Sequence, residues 1–248
     1  MPLTRLIDNT ADTPNIECLY THFNFPQAPQ DRPYVFVNMV STVDGKTLLG
    51  DVGGSAVGVG DATDQLLFRR LQKVADAAML GGATLRASHV LYPPDKPRIV
   101  LTRTGDFSLK NRFFTDAPDK AYVLAPKDME TERRKEIEAV AHFLGIGEGG
   151  VDLTAAMQYI RQELNIRYLL CEGGATVNGQ MLPLGLLDEL FITITPKLKG
   201  GGAVPGVIEG VGLPSHQYLP VSLLSLYHDE GEFYFRYRIE KEVRTARR

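Results

Sequence analysis

Two short runs in this chain join strand-like apolar residues to paired glycines and then to a hydroxyl residue. Leu169-Leu-Cys-Glu-Gly-Gly-Ala-Thr-Val-Asn178 leads an apolar strand into Glu172, Gly173 and Gly174, followed by a helical pattern. Leu80-Gly-Gly-Ala-Thr-Leu-Arg86 repeats the arrangement without the acid. Bare glycine backbone lets a ligand approach closely, and a helix start offers unpaired N–H groups that attract an anion. In an open α/β sheet the carboxyl ends of the strands form the ligand crevice, so two such mouths suit the two ends of a dinucleotide. Neither run is a G-x-G-x-x-G fingerprint. Glu172, beside an anion site, is poorly placed to bind the anion and is read as an acceptor for a hydroxyl or amino group of a second ligand. The plain structural alternative is a tight strand–helix turn carrying a solvated glutamate.

Other chemistries find no support in the spacing. The five histidines, at 22, 89, 142, 216 and 228, show no ligand-like interval, and Cys18 and Cys171 are far apart, so no metal site is expected. There is no Gly-x-Ser-x-Gly elbow and no P-loop. Gly200-Gly-Gly202 reads as a surface loop, with a phosphate cradle as its alternative. A formal net charge of −3 lacks a nucleic-acid footprint, and the Arg244–Arg248 tail reads as a solvated terminus. No run approaches the roughly 20 apolar residues of a membrane span, and the polar N-terminus does not resemble a signal peptide. A cytoplasmic protein without membrane partners is expected.

The elements that must position these runs alternate. Apolar stretches predict strands at 34–40, 77–80, 98–102, 121–125, 167–171 and 190–195. Helical spacing predicts helices over 61–75, through Leu67, Leu71 and Val74, and over 151–164, with Asp152 as N-cap. A charged helix is predicted over 128–141, another from Ala175 through Met181, and a C-terminal hairpin around Asp229-Glu-Gly231. Residues 1–32, rich in Pro, Asn, Asp and Gln, read as an irregular arm over a single domain at 33–248. The fold class is α/β, a mixed and mostly parallel central sheet flanked by helices with a C-terminal antiparallel hairpin.

Ser41-Thr-Val-Asp-Gly-Lys46, Gly81-Gly-Ala-Thr-Leu-Arg-Ala87, Cys171-Glu-Gly-Gly-Ala-Thr-Val-Asn178, Leu186-Leu-Asp-Glu-Leu190 and Thr195-Pro-Lys-Leu-Lys-Gly-Gly201 occur in an order and spacing that resembles one family. This is the pyrimidine reductases of riboflavin biosynthesis, which stand alone or form the C-terminal half of bifunctional deaminase-reductases. The resemblance covers about residues 33–240. It implies a dihydrofolate-reductase-like fold, a homodimer, NADPH as hydride donor, and a phosphoribosylamino-pyrimidine substrate whose ribose becomes ribitol. The activity implied is like that of a 5-amino-6-(5-phosphoribosylamino)uracil reductase. The deaminase motifs of the bifunctional members are missing here.

Carried over residue by residue, the resemblance implies that Gly82, Thr84 and Ser88 meet the cofactor. Gly173, Gly174, Ala175, Thr176 and Val177 would hold its pyrophosphate and nicotinamide half, and Thr102 with Arg103 the adenosine 2′-phosphate. Asn38, Asp44, Ser55 and Glu172 would line the substrate side, with Glu172, Asp44 and Asn38 at the reacting end. The sequence departs from the family where Asp-Asp-Pro and a phosphate-binding arginine often follow the first glycine run. Here Ser88-His-Val-Leu-Tyr92 stands there, Arg98 is the next arginine, and position 38 is Asn where many bifunctional members carry Lys. Two alternatives accompany this reading. One is a reductase on the same fold for another small carbonyl, imine or pterin-like compound; the other is a nucleotide-binding relative without catalysis.

Overall fold

A computed structural model describes residues 3–10, 12, 16–87 and 92–246. Its centre is a ten-stranded sheet. The strands are β1 (Thr4–Asp8), β2 (Tyr34–Thr42), β3 (Ala77–Gly81), β4 (Arg98–Leu101), β5 (Ala121–Ala125), β6 (His142–Gly145), β7 (Tyr168–Cys171), β8 (Glu189–Thr195), β10 (Val221–Asp229) and β11 (Glu232–Ile239). Their spatial order is β1-β10-β11-β8-β2-β7-β3-β4-β5-β6. From β8 to β6 all neighbours are parallel, whereas β11, β10 and β1 add an antiparallel edge. Such a parallel region must be covered on both faces.

Helices α1 (Ala62–Val74), α2 (Gly82–Ala87), α3 (Arg112–Thr115) and α4 (Thr131–Glu138) supply one cover. On that face Leu67 and Leu71 of α1 pack with Phe36, Leu170 and Phe191, while Leu85 of α2 packs with Leu80, Val100 and Phe113. The opposite face is covered by α5 (Leu153–Gln162) and α6 (Ala175–Met181), with Met157, Ile160, Val177 and Met181 against Val37, Met79, Leu169 and Cys171. Caps fix the helix starts. Asp61 accepts from the N–H groups of Thr63 and Asp64 at 2.8 and 3.0 Å, and Asp152 accepts from Ala155 at 3.0 Å, as its sequence position predicts.

The expected elements are present, and the structure adds the short helix α3 and further strands. The arm expected to be irregular contains β1, whose residues are mostly exposed and so carry no apolar alternation; it is defined by pairing with β10. Strand β6 at the far edge is short and only partly covered, and was hidden behind the charged α4 pattern, which itself spans less than 128–141. A separate two-stranded sheet joins β9 (Gln217–Tyr218) to β12 (Arg244–Thr245), so the basic tail begins in a strand. Arg247 and Arg248 lie outside the described residues.

The remainder of the arm closes the core at the foot of β2 and β8. Phe23 stacks on Phe25 at 4.8 Å, and Phe25 on Phe36 at 4.9 Å. The Arg236 guanidinium lies over the rings of Phe23, Phe25 and Phe191. It donates to Glu189 at 2.7 Å and to Asp12 at 2.8 Å, all three side chains being buried. Tyr34 donates to the same Glu189 at 2.8 Å. Removing one member of a buried ionic group strands the others without partners. Arg236→Met is therefore expected to lower unfolding stability by about 3–5 kcal/mol in urea titration. A loss below about 1 kcal/mol would mean that the arm is not held by this group.

Candidate active site

The pairing of β7 ends at Cys171, opposite Val37, but β2 continues to Thr42 beside β8. Beyond this point the chain of β7 turns out of the sheet through Glu172, Gly173 and Gly174, opening a crevice at the carboxyl ends of β2, β7 and β3. Gly173 has φ +75° and a cis peptide to Gly174, the N-cap of α6. The Gly81 N–H donates to the Gly173 carbonyl at 2.7 Å. The two glycine runs of the sequence are thereby brought side by side.

Around this contact the predicted cofactor residues converge. A Cβ on Gly174 would lie 2.9 Å from Thr84 Oγ1, and one on Gly82 would lie 3.2 Å from Thr102 Oγ1. Val177 packs over Gly81. At the start of α6 no side chain caps the helix, and among the described residues the N–H groups of Ala175 and Thr176 have no protein acceptor. Thr102 is buried and accepts from the Gly105 N–H at 2.9 Å, which fixes the loop carrying the exposed Arg103, unpaired among the described residues. Ser88 lies outside the described residues. The segment 206–209 lies across α6: Glu209 N–H donates to Ala175 at 3.0 Å and Asn178 donates to Val207 at 2.9 Å.

Strand alternation sends the two halves of the motif to opposite faces. Leu169 and Cys171 face α5 and α6, whereas Leu170 and Glu172 face α1. Glu172 is half-buried. Its Oε1 accepts from Gln72 Nε2 of α1 at 2.9 Å and its Oε2 from the Tyr92 hydroxyl at 2.9 Å. Burial pushes its pKa up to about 7, against the downward pull of those two hydrogen bonds. Asn38, at the next register position on β2, shares this face with Phe36 and is half-buried, its amide unpaired among the described residues.

Asp44 and Ser55 sit apart from this pair. Asp44 is exposed beyond the end of β2, and four residues of strand alone separate Asn38 from Thr42 by about 13 Å. Its carboxylate accepts from the Thr42 hydroxyl at 2.6 Å and from the N–H groups of Lys199 and Gly200 at 3.1 and 2.6 Å. These bonds hold its pKa down to about 2. The Gly200–Gly202 loop is thus exposed but anchored, with the Gly200 amide and that of the preceding Lys199 directed to Asp44. Ser55 is half-buried in the following loop, where its hydroxyl accepts from Val57 N–H at 3.2 Å.

Sequence reasoning missed Gln72, Tyr92 and Asp64. Gln72 sits eight residues after Asp64 and four after Phe68 on α1, so one helix face delivers all three. A buried glutamine among the apolar positions of an amphipathic helix was the available signal. Arg98 is turned away from the crevice: it is buried, donating to the carbonyls of Phe113 and Ala117 at 2.5 and 2.7 Å. Among the described residues no group of His, Cys, Asp and Glu is arranged to hold a metal ion, and no helix is long and apolar enough to cross a membrane.

A mostly parallel sheet with a glycine-lined crevice at its strand ends, and both faces covered, is an α/β architecture that binds ligands at that crevice. The chain belongs to the RibD C-terminal domain family, which it matches over residues 33–233. It is 27% identical over 195 residues to an Archaeoglobus fulgidus 2,5-diamino-6-ribosylamino-4(3H)-pyrimidinone 5′-phosphate reductase, covering 72% of this chain and 87% of the relative. It is 30% identical over 197 residues to the protein of the same name from Methanothermobacter thermautotrophicus, covering 73% and 86%. Both relatives are named as reductases, and a further relative, 26% identical over 186 residues, is the riboflavin biosynthesis protein RibD of Aquifex aeolicus, of which this chain covers 50%. In fold it resembles a pyrimidine reductase-like protein from Corynebacterium diphtheriae (TM-score 0.72, 19% identity, 86% of this chain and 94% of the other). It also resembles Acinetobacter baumannii RibD (TM-score 0.69, 20% identity), of which it spans only 58% while 84% of this chain is covered.

A titration prediction follows from the acids at the start of α1. Asp64 is buried and its pKa is raised to about 6, by burial first and by Asp61 in addition, against a hydrogen bond from Thr193. Because the folded pKa exceeds the unfolded one, the native state holds the extra proton, and stability falls as pH rises from about 4 through about 6. Asp64→Asn is expected to be within about 1 kcal/mol of wild type at pH 4 and more stable by about 1–3 kcal/mol at pH 8. Urea titrations at the two pH values measure this, and equal differences at both would refute the assignment.

Proposed function

We propose that the protein reduces 2,5-diamino-6-ribosylamino-4(3H)-pyrimidinone 5′-phosphate, ribose to ribitol, with NADPH as donor. The carrying observation is the 2.7 Å bond from Gly81 to Gly173, which sets two glycine mouths and the free amides of α6 around one crevice. The fit to a diphosphate is good: bare backbone at Gly174, the Thr84 hydroxyl beside it, and two unpaired N–H donors. The adenosine end would run toward β4, where Thr102 underlies Gly82 and Arg103 is exposed. When bound, the cofactor supplies a hydride; the chain supplies binding and orientation.

On the α1 face, Asn38 would donate to the substrate and Glu172 would accept from its hydroxyl or amino groups, orienting the ribose carbon toward the nicotinamide. Asp44 would act at the rim, by holding the 199–200 loop. Ser55 belongs to the same substrate side in this reading. The names and coverage of the stand-alone relatives support the diamino substrate over its deaminated uracil counterpart. The family resemblance is also the ground for reading the protein as a cytoplasmic homodimer. One observation favours a second reading, a different small carbonyl or imine substrate: Arg98 serves the carbonyls of Phe113 and Ala117 rather than the crevice.

Turnover assays with NADPH and each of the two pyrimidines decide between these readings. The diamino compound is expected to be the better substrate; NADPH binding without turnover of either would leave the proposal without support. For the cofactor, NADPH is expected to bind more tightly than NADH, and Arg103→Ala to erase a preference worth roughly ten- to a hundredfold, since a charge-assisted contact contributes ~1.5–3 kcal/mol. Equal affinities in wild type, read by nicotinamide fluorescence, would remove the 2′-phosphate site. Gly174→Val is expected to keep the circular dichroism of the fold and lose NADPH binding, because an added Cβ meets only the Thr84 hydroxyl, at 2.9 Å, beyond its chain neighbours.

A further inference from the structure

The Glu172 carboxylate is gripped from two directions by residues distant in sequence. Gln72 reaches it from α1, at a position where its own side chain is buried, and Tyr92 reaches it from the segment entering β4. The Tyr92 ring is itself fixed edge-on against Phe113 at 5.7 Å. Each carboxylate oxygen therefore has one lone pair occupied and one remaining, and the plane of the group is set by two anchors rather than by rotamer preference. Asn38 stands across the crevice at the adjacent register position.

We propose that Gln72 and Tyr92 are positioning residues that hold the Glu172 carboxyl group aimed, with its two remaining lone pairs directed at the hydroxyl or amino groups of the substrate. This inference rests on the reading of Glu172 as a substrate acceptor. The grip has a consequence for proton affinity. Burial favours the neutral acid, and the two donated hydrogen bonds oppose it, leaving the group near pH 7. The other titratable groups facing it are Tyr92, whose phenol is pushed well up by burial and by Glu172, and Cys171 on the opposite face, whose thiol burial pushes up to about 12. Arg98 lies beyond Tyr92, and Gln72 and Asn38 are uncharged. Asp64, earlier on α1, is raised to about 6, and a substrate phosphate has a second pKa of about 6, so an acid limb of kcat/KM near 7 is assigned to Glu172 by its loss in Glu172→Gln.

The test compares Tyr92→Phe and Gln72→Met with Glu172→Gln, measuring kcat/KM from pH 5 to 9 and NADPH affinity by fluorescence. Tyr92→Phe retains the ring and its contact with Phe113, so the fold is expected to persist; Gln72→Met retains the size of a buried helical side chain. Each is expected to reduce kcat/KM at pH 7 roughly tenfold, a typical loss for one hydrogen bond to a charged group. Each should also move the acid limb upward by about one pH unit. NADPH affinity should stay within about twofold, well inside the tenfold that 1.4 kcal/mol represents. Glu172→Gln should abolish that limb. If Glu172→Gln keeps wild-type activity and profile, the reading of Glu172 falls, and this inference with it. If Glu172→Gln loses the limb while Tyr92→Phe and Gln72→Met leave it unmoved, the positioning roles alone are refuted.

Discussion

The site depends on one mismatch of strand length. Strand β7 leaves the sheet after Cys171, opposite Met79, while β2 runs on to Thr42 and β3 on to Gly81. A parallel sheet whose strands all ended together would offer only a flat rim. Here the early exit of β7 exposes one edge of β2 and forces the chain across the sheet end. Side chains are excluded from this crossing: Gly173 has φ +75° and a Cβ there would lie 2.9 Å from Met39 Sδ, while a Cβ on Gly81, which donates to Gly173, would lie 2.9 Å from Val177. The rest of the crevice follows: α6 starts where the crossing finishes, Thr84 and Thr102 border it, and the 206–209 segment lies across α6.

The electrostatics of the sheet divide along its length. At the foot of β2, β8 and β11, Arg236 pairs with both Glu189 and Asp12 under an aromatic cover, a hydrogen-bonded group that ties the arm to the core. Toward the other end the carboxyls have few cations beside them. Glu172, Asp64 and Glu232 are raised to about 7, 6 and 8, by burial in each case. The two regions differ in their consequence. Paired charge at the foot fixes the fold, whereas under-compensated acids make the upper part of the α1 face responsive to pH near neutrality.

Much of the fold was legible because its strands are buried on both faces and its helices carry a single apolar stripe. Runs such as Tyr34–Val40 and Ala121–Ala125 need no tertiary information to be recognised. The edge strands β1 and β6 were not legible, since Thr4–Asp8 is nearly all exposed and His142–Gly145 only partly covered. Their identity is set by a neighbour far away in sequence. The site divided in the same way. The glycine runs announce themselves locally, but the partners of Glu172 do not, because Gln72 and Tyr92 lie 100 and 80 residues distant from it. Asp44 illustrates the opposite case: its motif is visible, yet only the fold shows its carboxylate holding the amides of Lys199 and Gly200.

The order Glu-Gly-Gly now has a physical reason. In a strand, successive side chains point to opposite faces, so a shift of one residue exchanges the faces. Cys171 faces α5 and α6, and Glu172 therefore faces α1. Had the carboxylate come one position later, it would have pointed toward the open amides at the start of α6, where its charge would compete with any phosphate. One position earlier, it would have been buried in the apolar layer under α5 and α6, on the face away from Gln72 and Tyr92. Only the last residue before the crossing puts a carboxylate at the crevice while keeping the whole thickness of the sheet between it and the helix start. The same backbone turn can then present donors on one side and an acceptor on the other, as a site for an anionic cofactor and a hydroxyl-rich substrate requires.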